Sequence, residues 1–252
     1  MNRLFAPPKK SSVSRTRVDQ AVKTAPRGQT TYNLLAPMHY EANYAYPVVV
    51  WLHSNGGDEK QHLRVMPHLS MRNYVGVGVR ASVPCEGRRG FQWEQSPQCI
   101  LSAEHRVQEA VAAAKAKFNV NPSRIFLAGH EAGGTMAYRL ALRSPQKYAG
   151  ALSAGGPFPL GHMPLANLHN LRDLPLFLAY CRDSETYTSE DLCDELPLFH
   201  TAALKVAIRQ YPCGDELTTQ MLADMDAWMM EHVTGAPCCS EEPAAIGRGQ
   251  WN

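Results

Sequence analysis

Glu131 is the side chain best placed to do chemistry. It stands in Gly129-His130-Glu131-Ala132-Gly133-Gly134, between the apolar run Ile125 to Ala128 and a helical stretch that reaches Arg143. A short apolar run closed by turn glycines reads as a buried strand, so Glu131 falls where the following helix begins. A helix dipole favours negative charge at that end. It also lowers the basicity and nucleophilicity of the carboxylate, the wrong direction for a nucleophile. A second glycine-bearing turn, Ser54-Asn55-Gly56-Gly57-Asp58, follows an apolar stretch that ends in His53. Gly56 and Gly57 let the backbone come close to a bound group.

The elements that must position these turns can be read along the chain. Residues 31–36 alternate as an edge strand, stopped by Pro37. Pro47 to His53 and Tyr74 to Val79 are short, β-branched and apolar on both faces, as in central strands covered on both sides. Residues 59–71 have a helical pattern interrupted by Pro67, and residues 81–95 form a long loop. From about Gln98 to Phe118, the residues Ile100, Leu101, Val107, Ala110, Val111 and Ala114 recur at helical spacing and form a core stripe. Asn121-Pro122-Ser123 breaks that pattern. Further strands are expected at 149–154, 174–180 and 206–211. Residues 157–173 read as loop, with helices at 189–204 and 217–233. Strands alternating with helices give an α/β fold with a doubly wound, mostly parallel sheet. Ligands of such sheets lie beyond the carboxyl ends of the strands.

Composition sets the outer limits. The chain has 252 residues, 44% hydrophobic and 19% charged, with a formal net charge of +2. That balance fits a globular domain and gives no pull toward nucleic acid. Residues 1–30 hold seven Lys/Arg against Asp19 alone. Scattered positives without interleaved aromatics read as a solvated, flexible basic tail rather than a nucleic-acid arm. Residues 31–234 are expected to be one domain, and 235–252 a flexible C-terminal tail. No apolar run reaches membrane-spanning length. The start lacks the apolar core of a secretory signal, which points to the cytoplasm. The seven cysteines contain no C-x-x-C pair, so neither a zinc pattern nor a disulfide framework is expected.

Several stretches together carry a family likeness: PVVVWLHSNGGD, RRGFQWEQ, RIFLAGHEAGG with MAYRLALRSP, YAGALSAGGPFP, LPLFLAYCRDS and IRQYPCGDEL. In their order and spacing, from Tyr32 to about Val233, the chain resembles an α/β-hydrolase of the carboxylesterase, phospholipase and acyl-thioesterase type. Strand, tight turn and helix at 124–143 match the nucleophile elbow G-x-S-x-G, with Glu131 where the serine stands. The resemblance implies an oxyanion hole from backbone N–H groups near Ser54, Asn55, Gly56 and Ala132. Each well-aimed donor of that kind contributes about 3 kcal/mol to transition-state stabilisation. It places the triad acid at Asp183, with Glu185 as a nearby substitute. The base falls in Gly214-Asp215-Glu216, so Asp215 stands where the histidine belongs. His130 is implied to pack beside the elbow, and Trp93 either to line the pocket or to serve as ordinary core.

The degenerate triad Glu131, Asp183 and Asp215 leaves several readings. The leading one is a pseudo-hydrolase that keeps the fold and a pocket for a small carboxyl-ester-like ligand. The alternative is a weak or altered carboxylic-ester hydrolase working through a carboxylate. Glu131 as a covalent nucleophile still lacks the histidine that activates water against the ester. Three converging carboxylates could instead share a hard cation. No cofactor, nucleic-acid partner or resident metal is expected. Among the remaining histidines, His162 and His169 lie in a segment able to act as a lid, and the others read as surface or packing residues.

Overall fold

The computed structural model describes residues 31–87, 89–166 and 168–235. The two expected tails, apart from Gly235, lie outside the described residues. Strands β1 (Tyr32–Leu35), β2 (Tyr46–Leu52), β3 (Val75–Val79), β6 (Val120–His130), β7 (Gly150–Ala154), β8 (Pro175–Cys181) and β9 (Lys205–Tyr211) form one seven-stranded sheet. Its order is β1-β3-β2-β6-β7-β8-β9, with only β1 antiparallel to its neighbour. This is the doubly wound, mostly parallel sheet expected from the alternation of strands and helices.

All seven residues of β2 are buried, as a strand covered on both faces requires. Helices α2 (Pro97–Lys117) and α3 (Ala132–Arg143) cover one face. Their Ile100, Val107, Met136 and Leu140 pack with Val48, Val50 and Leu127 of the sheet. Helices α1 (His62–Leu69) and α6 (Thr219–Thr234) cover the other, where Val65, Met66, Met225 and Trp228 meet Val49, Trp51 and Phe126. Helix α5 (Ser189–Thr201) starts at a capping box formed by Thr188 and Asp191. Such reciprocal bonding satisfies N–H groups that have no partner within the helix. Among the described residues, no helix is long and apolar enough to cross a membrane.

The structure departs from the sequence reading at a few local points. Leu101 is 56% exposed, because the position after Ile100 is rotated about 100° away from the core stripe. Pro67 lies inside α1 without ending it. Burial of Val65, Met66 and Leu69 holds the turn together despite the lost N–H. The helical pattern does end before Asn121-Pro122-Ser123, at Lys117, but these residues already lie within β6, where the pairing with β2 shifts register between Tyr46 and Val48. The long loop at 81–95 contains a two-stranded ribbon of β4 (Val83–Pro84) and β5 (Phe91–Gln92). The stretch at 157–173 contains a short helix, α4 (Leu168–Leu171).

Candidate active site

The loops beyond the carboxyl ends of β2, β6, β7, β8 and β9 enclose a cleft of about 630 Å³. Glu131 sits on its floor. The residue adopts φ +50°, ψ −122°, a conformation that costs a non-glycine residue about 1–3 kcal/mol. Two backbone bonds enforce it: the Glu131 N–H donates to the Ala154 carbonyl at 2.9 Å, and the Thr135 N–H donates to the Glu131 carbonyl at 3.0 Å. The flanking glycines are needed for space. A Cβ on Gly129 would strike the Gly133 backbone, and one on Gly133 would strike the carbonyls of Leu52 and His53. The sharp strand-to-helix turn implied by the elbow motif is therefore present, with a carboxylate at its apex.

The carboxyl group of Glu131 is pushed up to about 7, first by burial and then by the charge of Asp215, which is opposite to the lowering expected from the helix dipole. Asp215 moves the other way. Burial alone would raise it, but hydrogen bonds from Ser184 and Thr186 and from the Glu185 backbone outweigh that and hold it below its ordinary value. The Ser184 hydroxyl donates to Asp215 Oδ1, as does Thr186 Oγ1 at 2.8 Å. Environments that separate two neighbouring carboxyls in this way leave one protonated and one ionised near neutrality.

Asp183, at the implied acid position, turns to Arg182 rather than to Asp215. The guanidinium donates to both of its oxygens, at 2.8 and 3.0 Å. That hydrogen bonding holds the Asp183 carboxyl below its ordinary value. Glu131, Asp183 and Asp215 all line the cleft, together with Glu185 and Glu216. Among the described residues, however, no group of three or more His, Cys, Asp or Glu side chains is placed to hold a metal ion. The shared-cation reading loses its geometric basis on that point.

The implied oxyanion donors divide into two pairs. Asn55 and Ala132 line the cleft. The Ser54 N–H instead donates to Gln61 Oε1 at 3.2 Å, and the Gly56 N–H donates to the Phe91 carbonyl at 2.9 Å. Gln61 organises this corner. Its Oε1 also accepts from Trp51 Nε1 at 2.9 Å, and its amide nitrogen donates to the Ser54 hydroxyl at 3.0 Å.

His53 completes the turn. The Ala81 N–H donates to its Nε2 at 3.0 Å, so its Nδ1 carries the proton and donates to the Ser54 carbonyl at 2.8 Å. Burial pushes His53 down to about 4, which fits a neutral structural ring. Trp93 serves both alternatives left open by the sequence: it is 7% exposed, lines the cleft, and donates from Nε1 to the His53 carbonyl at 2.8 Å.

His130 is buried, as a packing role implies. Burial pushes it down to about 4, and it is bonded to the Asp215 backbone. It thereby ties the end of β6 to the turn after β9. Among the described residues, no histidine lines the cleft, His162 and His169 included. Sequence reasoning missed Gln61, Ser184 and Thr186. Ser184 and Thr186 sit in an unremarkable polar loop, and only the folded approach of two loops brings them to Asp215.

The sheet order, the elbow and the cleft define an α/β-hydrolase. Residues 89–233, more than half of the chain, match the phospholipase/carboxylesterase family, and the protein belongs to that family. Comparison with curated protein sequences finds no match. Among solved structures, the chain is similar to a carboxylesterase from Bacillus cereus, at 18% identity and a TM-score of 0.66, covering 82% of this chain and 96% of that one. A carboxylesterase from Mesorhizobium loti is similar at 20% identity and a TM-score of 0.64, with 79% and 93% covered. SOBER1 from Arabidopsis thaliana gives 17% identity and a TM-score of 0.63, with 75% and 100% covered. At these identities the likeness speaks for the fold.

Proposed function

We propose that the protein is a catalytically degenerate member of its family, a ligand-binding or interaction module on an esterase scaffold. The observation that carries this reading is the strained elbow with Glu131, and no serine, at its apex. The described lining offers no imidazole to replace the missing base. Asp215, at the base position, accepts at Oδ1 from both Ser184 and Thr186, which favours its ionised form. Loss of the nucleophile or base of such a triad lowers turnover about a millionfold.

The ligand is a small carboxyl-ester-like molecule that is neutral or carries positive charge. Five carboxyl-bearing residues line the cleft, and Lys and Arg are absent from its described lining. An anionic group would meet like charge in a partly desolvated site, where repulsion is poorly screened.

The test restores the missing groups. The Glu131→Ser, Asp215→His double variant should label with a fluorophosphonate probe, while the unaltered protein should neither label nor turn over a panel of small esters. Failure of the double variant to label would count against a retained pocket. Robust turnover by the unaltered protein, abolished in Glu131→Ala, would overturn the degenerate reading.

A second reading rests on a different observation. A carboxyl group titrating at about 7 lies where a general base is most effective near neutral pH. In this reading Glu131 activates water weakly, and Asn55 and Ala132 supply the oxyanion donors. Its signature is slow ester hydrolysis that rises through about pH 7 and disappears in Glu131→Gln.

A further inference from the structure

Beneath the cleft, two cysteines meet. Cys181 is the last residue of β8, two positions before Asp183. Cys213 lies two positions before Asp215. Both are thiols rather than halves of a disulfide, both are buried, at 3% and 6% exposure, and both belong to the same apolar cluster.

The backbone explains how they come together. Cys181 pairs in register with Tyr211 across the β8–β9 ladder. Beyond the strand ends, the Arg182 N–H donates to the Tyr211 carbonyl at 2.9 Å and the Asp183 N–H donates to the Cys213 carbonyl at 3.0 Å. A tight turn over Pro212, closed by the Cys213 N–H on the Tyr211 carbonyl at 3.0 Å, stops Cys213 from running on along the strand direction. Proline's fixed φ suits a turn of that kind. The result is direct hydrogen-bond contact between the two side chains. Cys181 sits opposite Tyr211 at the ordinary interstrand spacing of about 4.8 Å, and the turn over Pro212 folds Cys213 back toward that pair.

From this juxtaposition we infer that Cys181 and Cys213 form a dithiol–disulfide modification site, oxidised by a low-molecular-weight disulfide. The thiolate of one cysteine attacks a sulfur of the reagent and expels one small thiolate. The thiolate of the second cysteine then attacks the protein sulfur of that mixed disulfide. The Sγ–Sγ bond forms, the second small thiolate leaves, and the two protons lost by the cysteines pass to the two leaving groups. Two protein thiols are oxidised and one reagent disulfide is reduced to two thiols.

Access runs through the cleft floor. A Cβ on Gly155, which lines the cleft, would lie 3.9 Å from Cys181 Sγ, and Gly214, next to Cys213, also lines it. Burial pushes the Cys181 thiol up, so the thiolate fraction is small and exchange is slow. Once formed, the bond staples the loop of Asp183, Ser184 and Thr186 to the turn of Asp215. This site does not depend on whether the cleft hydrolyses or only binds its ligand.

The experiment treats the full chain with excess oxidised glutathione, then quenches with acid, alkylates free thiols under denaturing conditions and maps peptides without reduction. The expected main product is a peptide pair joined at Cys181 and Cys213, lighter by two hydrogens. The thermal midpoint should rise and return to its starting value on reduction. Cys193→Ala, at an exposed cysteine, should retain both effects. Cys213→Ser and Cys213→Ala should lose both, and Cys181 should then carry at most a glutathione adduct. Full alkylation of both cysteines in the unaltered protein, or stable glutathione adducts on each without a joined peptide, would overturn the inference.

Discussion

Replacing Glu131 with glutamine separates the charge of the elbow side chain from its shape. The glutamine keeps the side-chain length and the same strained backbone, but it cannot ionise. In the folded protein the Glu131 carboxyl titrates at about 7, against an ordinary 4.5. At about 1.4 kcal/mol per tenfold change, that difference corresponds to about 3 kcal/mol. The sign follows from where the proton sits. Below pH 4.5 both folded and unfolded chains hold it, and the carboxyl costs nothing. From 4.5 to 7 the unfolded chain releases it first, so stability falls as pH rises. Above 7 both states are ionised and the full penalty remains. The stability advantage of Glu131→Gln should therefore open above pH 4.5, grow to about 3 kcal/mol and level off beyond pH 7. Urea unfolding of both proteins from about pH 4 to pH 8 measures it, and the difference between them cancels every other titrating group. In an Asp215→Asn background the advantage should shrink, because Asp215 contributes to raising Glu131. A gap that does not change with pH, or one that reverses as pH rises, would refute the reasoning.

Other perturbations test the frame around the elbow. His53 and His130 are both held down to about 4 by burial. The unfolded chain therefore takes up protons first as pH falls, and stability is lost between 6.5 and 4. Each histidine accounts for about 3 kcal/mol, and together they outweigh the opposing slope of Glu131. The urea midpoint of the unaltered protein should accordingly fall between about pH 6.5 and pH 4.5. Gly133→Ala should destabilise by about 1–3 kcal/mol in chemical unfolding, because its Cβ meets the carbonyls of Leu52 and His53 rather than a flexible side chain. Gln61→Ala should cost about 1–3 kcal/mol, since it strips the acceptor from buried Trp51 Nε1 and from the Ser54 N–H. An unchanged unfolding curve for either variant would contradict the packing or the bonding assigned to it.

Most of the fold was legible because its signals are local. The apolar runs at 47–53, 74–79 and 125–128 needed only their composition and bounding turns to be read as covered strands. The glycines of 129–134 likewise announced a strand meeting a helix at close quarters. The short ribbon of Val83–Pro84 with Phe91–Gln92 was not legible. Two-residue strands have no measurable period, and their pairing is settled by the Gly57 and Phe91 backbones meeting across the loop. The site was legible at the positions fixed by the elbow and the strand ends. Asp183 illustrates the limit. Its number along the chain matches the implied acid, yet its neighbour Arg182 captures both oxygens, a contact decided by side-chain geometry. The loss of Ser54 and Gly56 as free donors has the same origin, because Gln61 and Phe91 approach them only through tertiary folding.

The hydrogen bonds that keep Asp215 ionised also limit what it can do. A carboxylate is a useful base when its lone pairs are free to take a proton near neutral pH. Oδ1 of Asp215 accepts from Ser184 and Thr186, and these bonds favour its charged form and hold it below its ordinary value. A carboxyl held below its ordinary value is a weaker proton acceptor near neutral pH than an imidazole. Glu131 has the opposite character: titrating at about 7, it is shared between its protonated and ionised forms near neutrality. In the reading where Glu131 is a general base, Asp215 acts on it through its charge. Asp215→Asn removes that charge, lowers the titration of Glu131 and makes it a weaker base. If slow ester hydrolysis is found, its rise with pH should move to lower pH in Asp215→Asn, while its plateau rate falls. A plateau that rises instead would mean that Asp215 hinders catalysis by some route other than the proton held on Glu131.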